Sequence, residues 1–303
     1  MSLQKIKPVW DGNQVHILCD TDIHWDFEQL GIKRIWEKYK VQGEDVNIFV
    51  LDTGIDTTHK AFANHKIEAK SFVANESPQD VQGHGTWCCG KVNADEVGIS
   101  PKCNLFSAKV MDANGDGSDE DINKALSWVL SSPLPNVVSM SIGGYSVDKD
   151  QENLCNEIFE KGGIIVAAAG NERTGDKSYP AAFKNVLAIS ALDQNKKNAD
   201  FANYGQHIAV AAPGVSCYST VTNNQYRRMS GTSMATPIVA SLISLGISYI
   251  LKKKKTYTLV ERDLIINALE KSATDLGPPG FDIYYGFGGV DGLGFMEYID
   301  KNV

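Results

Sequence analysis

Short, continuous apolar runs rich in β-branched residues recur along this chain, separated by stretches with helical periodicity. Val46–Leu51, Leu105–Val110, Val137–Ile142, Ile164–Ala169 and Val186–Ser190 each have the length of a strand and lack the polar alternation of a half-exposed one. A strand that is apolar on both faces needs cover on both faces. Helical stretches such as Asp119–Leu130 and Glu152–Lys161 lie between the runs, and Ser118 with Asp121 three residues later makes an N-cap signal for the first. The pattern predicts βαβ units: an α/β protein, three layers deep (α/β/α), with a mostly parallel central sheet. Several runs end in Gly or Asp, as in Leu51-Asp52-Thr53-Gly54, Ile142-Gly143-Gly144 and Ala169-Gly170-Asn171. In such sheets ligands bind beyond the carboxyl ends of the strands, so chemistry is expected there.

With 303 residues, 43% of them apolar, the chain has ample material for one large core. No linker or repeat divides it, and it reads as an N-terminal extension (1–23) followed by one domain (24–303). The net charge of −8 gives no basic footprint for nucleic acid. The longest apolar stretch, Ile238–Leu251, carries serines and is shorter than the ~20 residues a bilayer requires, so it reads as a buried core helix rather than a membrane span. Met1–Pro8 has no apolar segment of secretory type. Six cysteines, two of them adjacent and none in a C-x-x-C spacing, suggest free thiols and a cytoplasmic setting.

Three residues at element ends carry reactive groups. Asp52 directly follows an apolar strand, where a buried acid needs a donor to hold. His84 stands between Gly83 and Gly85, which let the backbone bring an imidazole close to other groups. Ser233, in Ser230-Gly-Thr-Ser-Met-Ala-Thr-Pro237, directly precedes the apolar helix, whose dipole favours developing negative charge. Singly, these read as a turn aspartate, a packed histidine and an N-cap serine. Together they supply what nucleophilic catalysis requires: a hydroxyl, a base to take its proton, and a carboxylate to orient the base.

Asp52-Thr-Gly-Ile-Asp56, His84-Gly-Thr86 and Gly231-Thr-Ser-Met-Ala-Thr-Pro237 resemble the three signature blocks of the subtilisin-like serine proteases, the subtilases. Ala167-Ala-Ala-Gly-Asn-Glu172 is similar to the block that supplies their oxyanion-binding asparagine. The likeness runs from about Trp25 to Phe287, with the blocks in family order. It implies a serine endopeptidase acting on protein or peptide substrates, with Ser233 as nucleophile, His84 as base and then acid, Asp52 as its orienting partner, and Asn171 with the Ser233 N–H as oxyanion hole. It also implies that substrate pairs as an added strand with Ser141, Ile142 and Gly143 on one side and with Gly115 and Gly117 on the other. Asp119 falls where many relatives carry a bulky aromatic. With Asp112, Asp116, Glu120 and Asp121 nearby, it suggests a mild preference for basic residues upstream of the cut, unless this is only a solvated loop. The alternatives to a general endopeptidase are a silent binding module of the same fold and a maturation peptidase dedicated to one partner.

The resemblance also bears on cofactors. The family's strong calcium site uses an aspartate nine residues after the catalytic one. Ala61 stands there instead, and the stretch from His84 to Pro101 is shorter than in calcium-loop relatives. No cofactor is therefore expected to be required, and weak calcium sites remain open. Asp112–Asn123 half-resembles an EF-hand loop but has Asn123 where the bidentate Glu is needed. Cys88 matches a cysteine of the proteinase K-like branch beside the triad, or is simply a small buried hydrophobe. Met234 is a candidate for oxidation, and the run Lys252–Lys255 complements a helix C-terminus. Ile6-Lys-Pro-Val-Trp10 reads by default as an ordinary tail, and the alternative is a segment that lies in the cleft in the manner of intracellular subtilisins.

Overall fold

The computed structural model describes residues 7–8 and 24–303. Its strands are β1 (Lys7–Pro8), β2 (Asn47–Asp52), β3 (Ile67–Ser71), β4 (Asn104–Lys109), β5 (Asn136–Met140), β6 (Ile142–Gly143), β7 (Ile164–Ala168), β8 (Leu187–Leu192), β9 (Ile208–Pro213), β10 (Cys217–Val221) and β11 (Gln225–Met229). The helices are α1 (Trp25–Leu30), α2 (Ile32–Tyr39), α3 (His84–Asn93), α4 (Asp119–Ser131), α5 (Lys149–Glu160), α6 (Thr232–Lys254), α7 (Leu259–Lys271) and α8 (Gly292–Asn302). Seven strands form one sheet in the order β3-β4-β2-β5-β7-β8-β9, parallel at every pairing.

Side-chain alternation explains the continuous apolar runs. Along β2, Ile48 and Val50 point into one core cluster while Phe49 and Leu51 point into the other, and all four are buried. Along β7, Ile164 and Val166 join the first cluster and Ile165 and Ala167 the second. The first layer is built on α6, which crosses β5, β7, β8 and β9 and packs on α3. On the other face α4 and α5 pack together, with Ile122, Leu126 and Ile158 in the second cluster. The three-layer expectation is thus met.

Local expectations need adjusting at several points. Asp52 is the last residue of β2 rather than the residue after it. The run Val137–Ile142 divides into β5 and β6, so Ile142 and Gly143 leave the main sheet as a separate short strand. Two strands of the sheet lie outside the runs named above. Edge strand β3 alternates because one face meets water, whereas β9, Ile-Ala-Val-Ala-Ala-Pro, is itself a continuous apolar run buried at five of its six positions. The core helix is longer than its apolar stretch, running from Thr232 to Lys254 and ending on the lysine run. It is the one described helix with the length and hydropathy to cross a membrane, and the apolar window is 94% buried inside the protein. The Ser118 hydroxyl caps α4 by accepting the Asp121 N–H.

α1 is tied to α3 by an ion pair. Lys91 Nζ lies 2.7 Å from Asp26 Oδ2, with both side chains inaccessible, and the ammonium faces the rings of Phe27 and Trp87 at 5.4 and 5.7 Å. A buried pair of this kind costs most when only one partner is removed. Asp26→Ala is expected to lower unfolding free energy by about 3–5 kcal/mol in chemical denaturation. The double replacement Asp26→Leu with Lys91→Met is expected to recover most of that loss.

Candidate active site

Strand order reverses around β2: the chain fills positions on one side through β3 and β4, then crosses by α4 to β5 on the other. The carboxyl end of β2 therefore opens on a crevice, and Asp52 stands at its floor, wholly buried. Its Oδ1 accepts the Thr53 N–H at 2.8 Å and faces His84 Nδ1 at 2.7 Å. That contact makes Nδ1 the protonated nitrogen and leaves Nε2 as an acceptor.

His84 stands at an element end, as expected, and opens α3. The two glycines act as expected in a more specific way. Gly83 takes the left-handed conformation (φ +101°) at the start of the helix, and a Cβ on Gly85 would stand 2.3 Å from the Gly54 carbonyl oxygen. Only a bare backbone lets α3 approach the end of β2 this closely.

Ser233 is the second residue of α6, so its N–H is among the first-turn donors with no intrahelical acceptor. Four residues on, Pro237 has no N–H to give the Ser233 carbonyl. That carbonyl instead accepts the Ser141 hydroxyl at 2.9 Å and contacts the Cys88 thiol at 3.8 Å. In return the Ser233 hydroxyl donates to the Ser141 carbonyl at 3.0 Å. Cys88 touches both ends of the site, its sulfur also lying 3.9 Å from His84 Nδ1. Burial, and then the negative charge of Asp52, push its thiol well above the ordinary range, so it stays protonated. Cys88, Cys89, Cys103, Cys155 and Cys217 are all buried free thiols; Cys19 lies outside the described residues.

Asn171 is fixed from two directions. Its Oδ1 accepts from the Thr232 N–H and hydroxyl, each at 3.0 Å, and its own N–H donates to Glu172 Oε2 at 2.9 Å. With Oδ1 so engaged, Nδ2 is the free donor. Asn171 Nδ2 and His84 Nε2 are both buried without a hydrogen-bond partner. One unused acceptor and one unused donor are thus left on residues tied to the Ser233 segment, His84 through Cys88 and Asn171 through Thr232. Such groups are costly unless something arriving satisfies them.

The expected substrate-binding residues fall in the β5–β6 segment, in a turn before α4 and at the start of α4. Ile142 and Gly143 form β6, and Gly144 pairs with Tyr179. Gly115 and Gly117 belong to a turn held by Asp112, whose Oδ1 accepts the Asn114 and Asp116 N–H groups, and Gly117 bridges to Met111. Asp119 is the first residue of α4. Sequence reasoning did not find Asp80, a buried carboxylate between β2 and α3, nor the reciprocal Ser141–Ser233 clamp. Pro237, four residues after Ser233, was the available signal for the clamp. Among the described residues, the one cluster of three His, Cys or carboxylate ligand atoms is Asp52, His84 and Cys88.

Residues 43–288 match the subtilase family, peptidase S8. The chain is 35% identical to subtilisin DY of Bacillus licheniformis over 257 residues, covering 82% of this chain and 89% of that protein. It is 37% identical to subtilisin Savinase of Lederbergia lenta over 241 residues, 78% of this chain and 86% of the relative. Against a thermophilic serine proteinase of Bacillus sp. (strain AK1) it is 38% identical over 205 residues, and spans only about half (51%) of that longer protein. A seven-stranded parallel sheet between helical layers, an Asp–His pair at its carboxyl edge and this extent of matching sequence lead to one conclusion: the chain belongs to the subtilase family and is a subtilisin-like serine endopeptidase.

Proposed function

We propose that Ser233, His84, Asp52 and Asn171 carry out peptide hydrolysis in the roles the sequence suggests. The observation that supports this reading is the pairing of Asp52 with His84 Nδ1 while His84 Nε2 and Asn171 Nδ2 stay buried and unpartnered. On this reading the Ser233 hydroxyl leaves the Ser141 carbonyl, gives its proton to Nε2 and attacks the scissile carbonyl carbon. The oxyanion is held by Asn171 Nδ2 and the Ser233 N–H, and Asp52 stabilises the imidazolium. His84 then protonates the departing amine, and water repeats the sequence on the acyl-enzyme. No metal enters this scheme. At the expected calcium position Ala61 offers only a buried methyl group, and its carbonyl accepts the Asp95 N–H at 2.9 Å.

The N-terminal segment, we infer, occupies the substrate cleft. The backbone of Lys7 pairs with Gly143 and that of Pro8 with Ile142, antiparallel, so β1 takes an edge that a peptide substrate would use. Ile6, Val9 and Trp10 lie outside the described residues. Upstream specificity is read from the rim. Asp119 sits at the start of α4, and its carboxyl is raised above the usual range by burial and then by the charge of Asp148. A basic side chain entering here would relieve that repulsion.

Ser233→Ala is expected to lower casein and peptide hydrolysis by roughly 10⁶-fold, the loss this hydroxyl carries in subtilisin itself. Asn171→Ala should cost ~10²–10³ in kcat, again the subtilisin value, and EDTA should leave the wild-type rate in place; activity surviving in Ser233→Ala would refute the assignment. Deleting residues 1–23 should raise the initial rate on a short peptide, whereas an unchanged rate removes β1 from the cleft. In peptide-library profiling the preference for upstream Lys or Arg should fade as pH falls. Because its carboxyl is raised, Asp119 gains its proton, and loses its charge, at a higher pH than an ordinary aspartate. Asp119→Asn should abolish both the preference and its pH dependence; a profile that matches wild type would exclude the rim.

A further inference from the structure

Asp80 is 1% exposed and has no cation against it in the contacts of its carboxylate. Its Oδ1 accepts the N–H groups of Gln82 and Gly83, each at 2.9 Å, and the Thr53 hydroxyl at 3.0 Å. Its Oδ2 accepts the Thr86 N–H at 2.8 Å and the Thr86 hydroxyl at 2.6 Å. Proton directions around it are settled by the neighbours. The Thr53 oxygen accepts the Gly85 N–H at 2.8 Å and the Thr86 oxygen accepts the Asp56 N–H at 3.0 Å, so both hydroxyls point their protons at Asp80. Every partner is a donor, so all five contacts use the carboxyl group as an acceptor.

These bonds close a ring. Thr53 follows Asp52 directly and gives it the N–H at 2.8 Å, while the Thr53 carbonyl is held by the buried Lys109 Nζ at 2.8 Å. Gly83, Gly85 and Thr86 flank His84. The side chains of Asp52 and His84 meet at 2.7 Å, and their backbones are joined a second time through Thr53 and Asp80. A displacement of about 1 Å at such a contact is enough to cost ~10² in rate.

We propose that Asp80, acting through the Thr53 hydroxyl, is the positioning residue that sets the Asp52–His84 contact. It touches neither substrate nor the reacting atoms. The inference rests on the triad reading above, whose own failure would appear separately as activity in Ser233→Ala.

The test compares full-length Asp80→Asn, Thr53→Val and Thr53→Ser. Turnover of a peptide p-nitroanilide is followed together with the low-field ¹H resonance of the His84 Nδ1–H, identified by its loss in His84→Ala. Asp80→Asn is expected to lower kcat by ~10–100-fold with KM within about twofold, since binding uses other segments. Thr53→Val should lower kcat by about tenfold, Thr53→Ser should restore it, and the resonance should shift in the first two variants and return in the third. The serine rescue separates positioning from simple loss of stability. If Asp80→Asn does not fold, the Thr53 pair decides the matter. Folded Thr53→Val with wild-type kcat and an unmoved resonance would overturn the proposal, as would a loss confined to KM.

Discussion

A carboxylate shut away from water at the end of a parallel strand is tolerable only while donors hold it. Both donors of Asp52 fall on Oδ1 while Oδ2 is buried without a partner, and the rest of this molecule is tied to keeping them there. β2 is covered on both faces, so the strand cannot tilt to bring the acid to solvent. The donors must come to it. Thr53 supplies one from the chain itself and His84 supplies the other, brought by a helix whose glycines permit near-contact with the strand end. Stability and chemistry therefore share one contact. A substitution that frees the imidazole for other work also strands a buried charge.

The same economy governs α6. It forms the spine of the larger core cluster, with every residue from Thr232 to Ile250 buried, yet its first turn carries Ser233. Pro237 reconciles the two duties. A proline one turn into a helix removes a single internal hydrogen bond, and the carbonyl released is the one Ser141 and Cys88 hold in place. Ser233 is thus anchored to the end of β5 as well as to its own helix.

How much of this was legible in the residues follows from what each feature depends on. Buried strands announce themselves because two covered faces erase polar alternation, so β2, β5 and β7 are plain in the sequence. β3 is not, since an edge strand keeps one wet face and Ile-Glu-Ala-Lys-Ser holds no continuous apolar run. The functional groups were recognisable because reactive residues at strand ends and helix starts are few and distinctive. Their supports were harder to see. Nothing in Pro78-Gln-Asp-Val-Gln-Gly-His84 says that Asp80 faces inward to collect five donors, because that depends on where Thr53 and Thr86 arrive in space. The β1–β6 pairing fixes Lys7 and Pro8 by two backbone positions, which carry no side-chain detail with them.

The strand order has a consequence for when the protein can first cut anything. Asp52 and His84 are 32 residues apart, and Ser141 and Ser233 are 92 apart. β2 finds its neighbours only in β4 and β5, far along the chain, and α6 arrives after the whole sheet has been synthesised. Pairings this distant form late and together in folding. A half-made chain therefore holds the reactive side chains without the machine. Its unprotected backbone is at risk only from copies that have already finished, so self-digestion during folding depends on how many finished copies surround each newcomer.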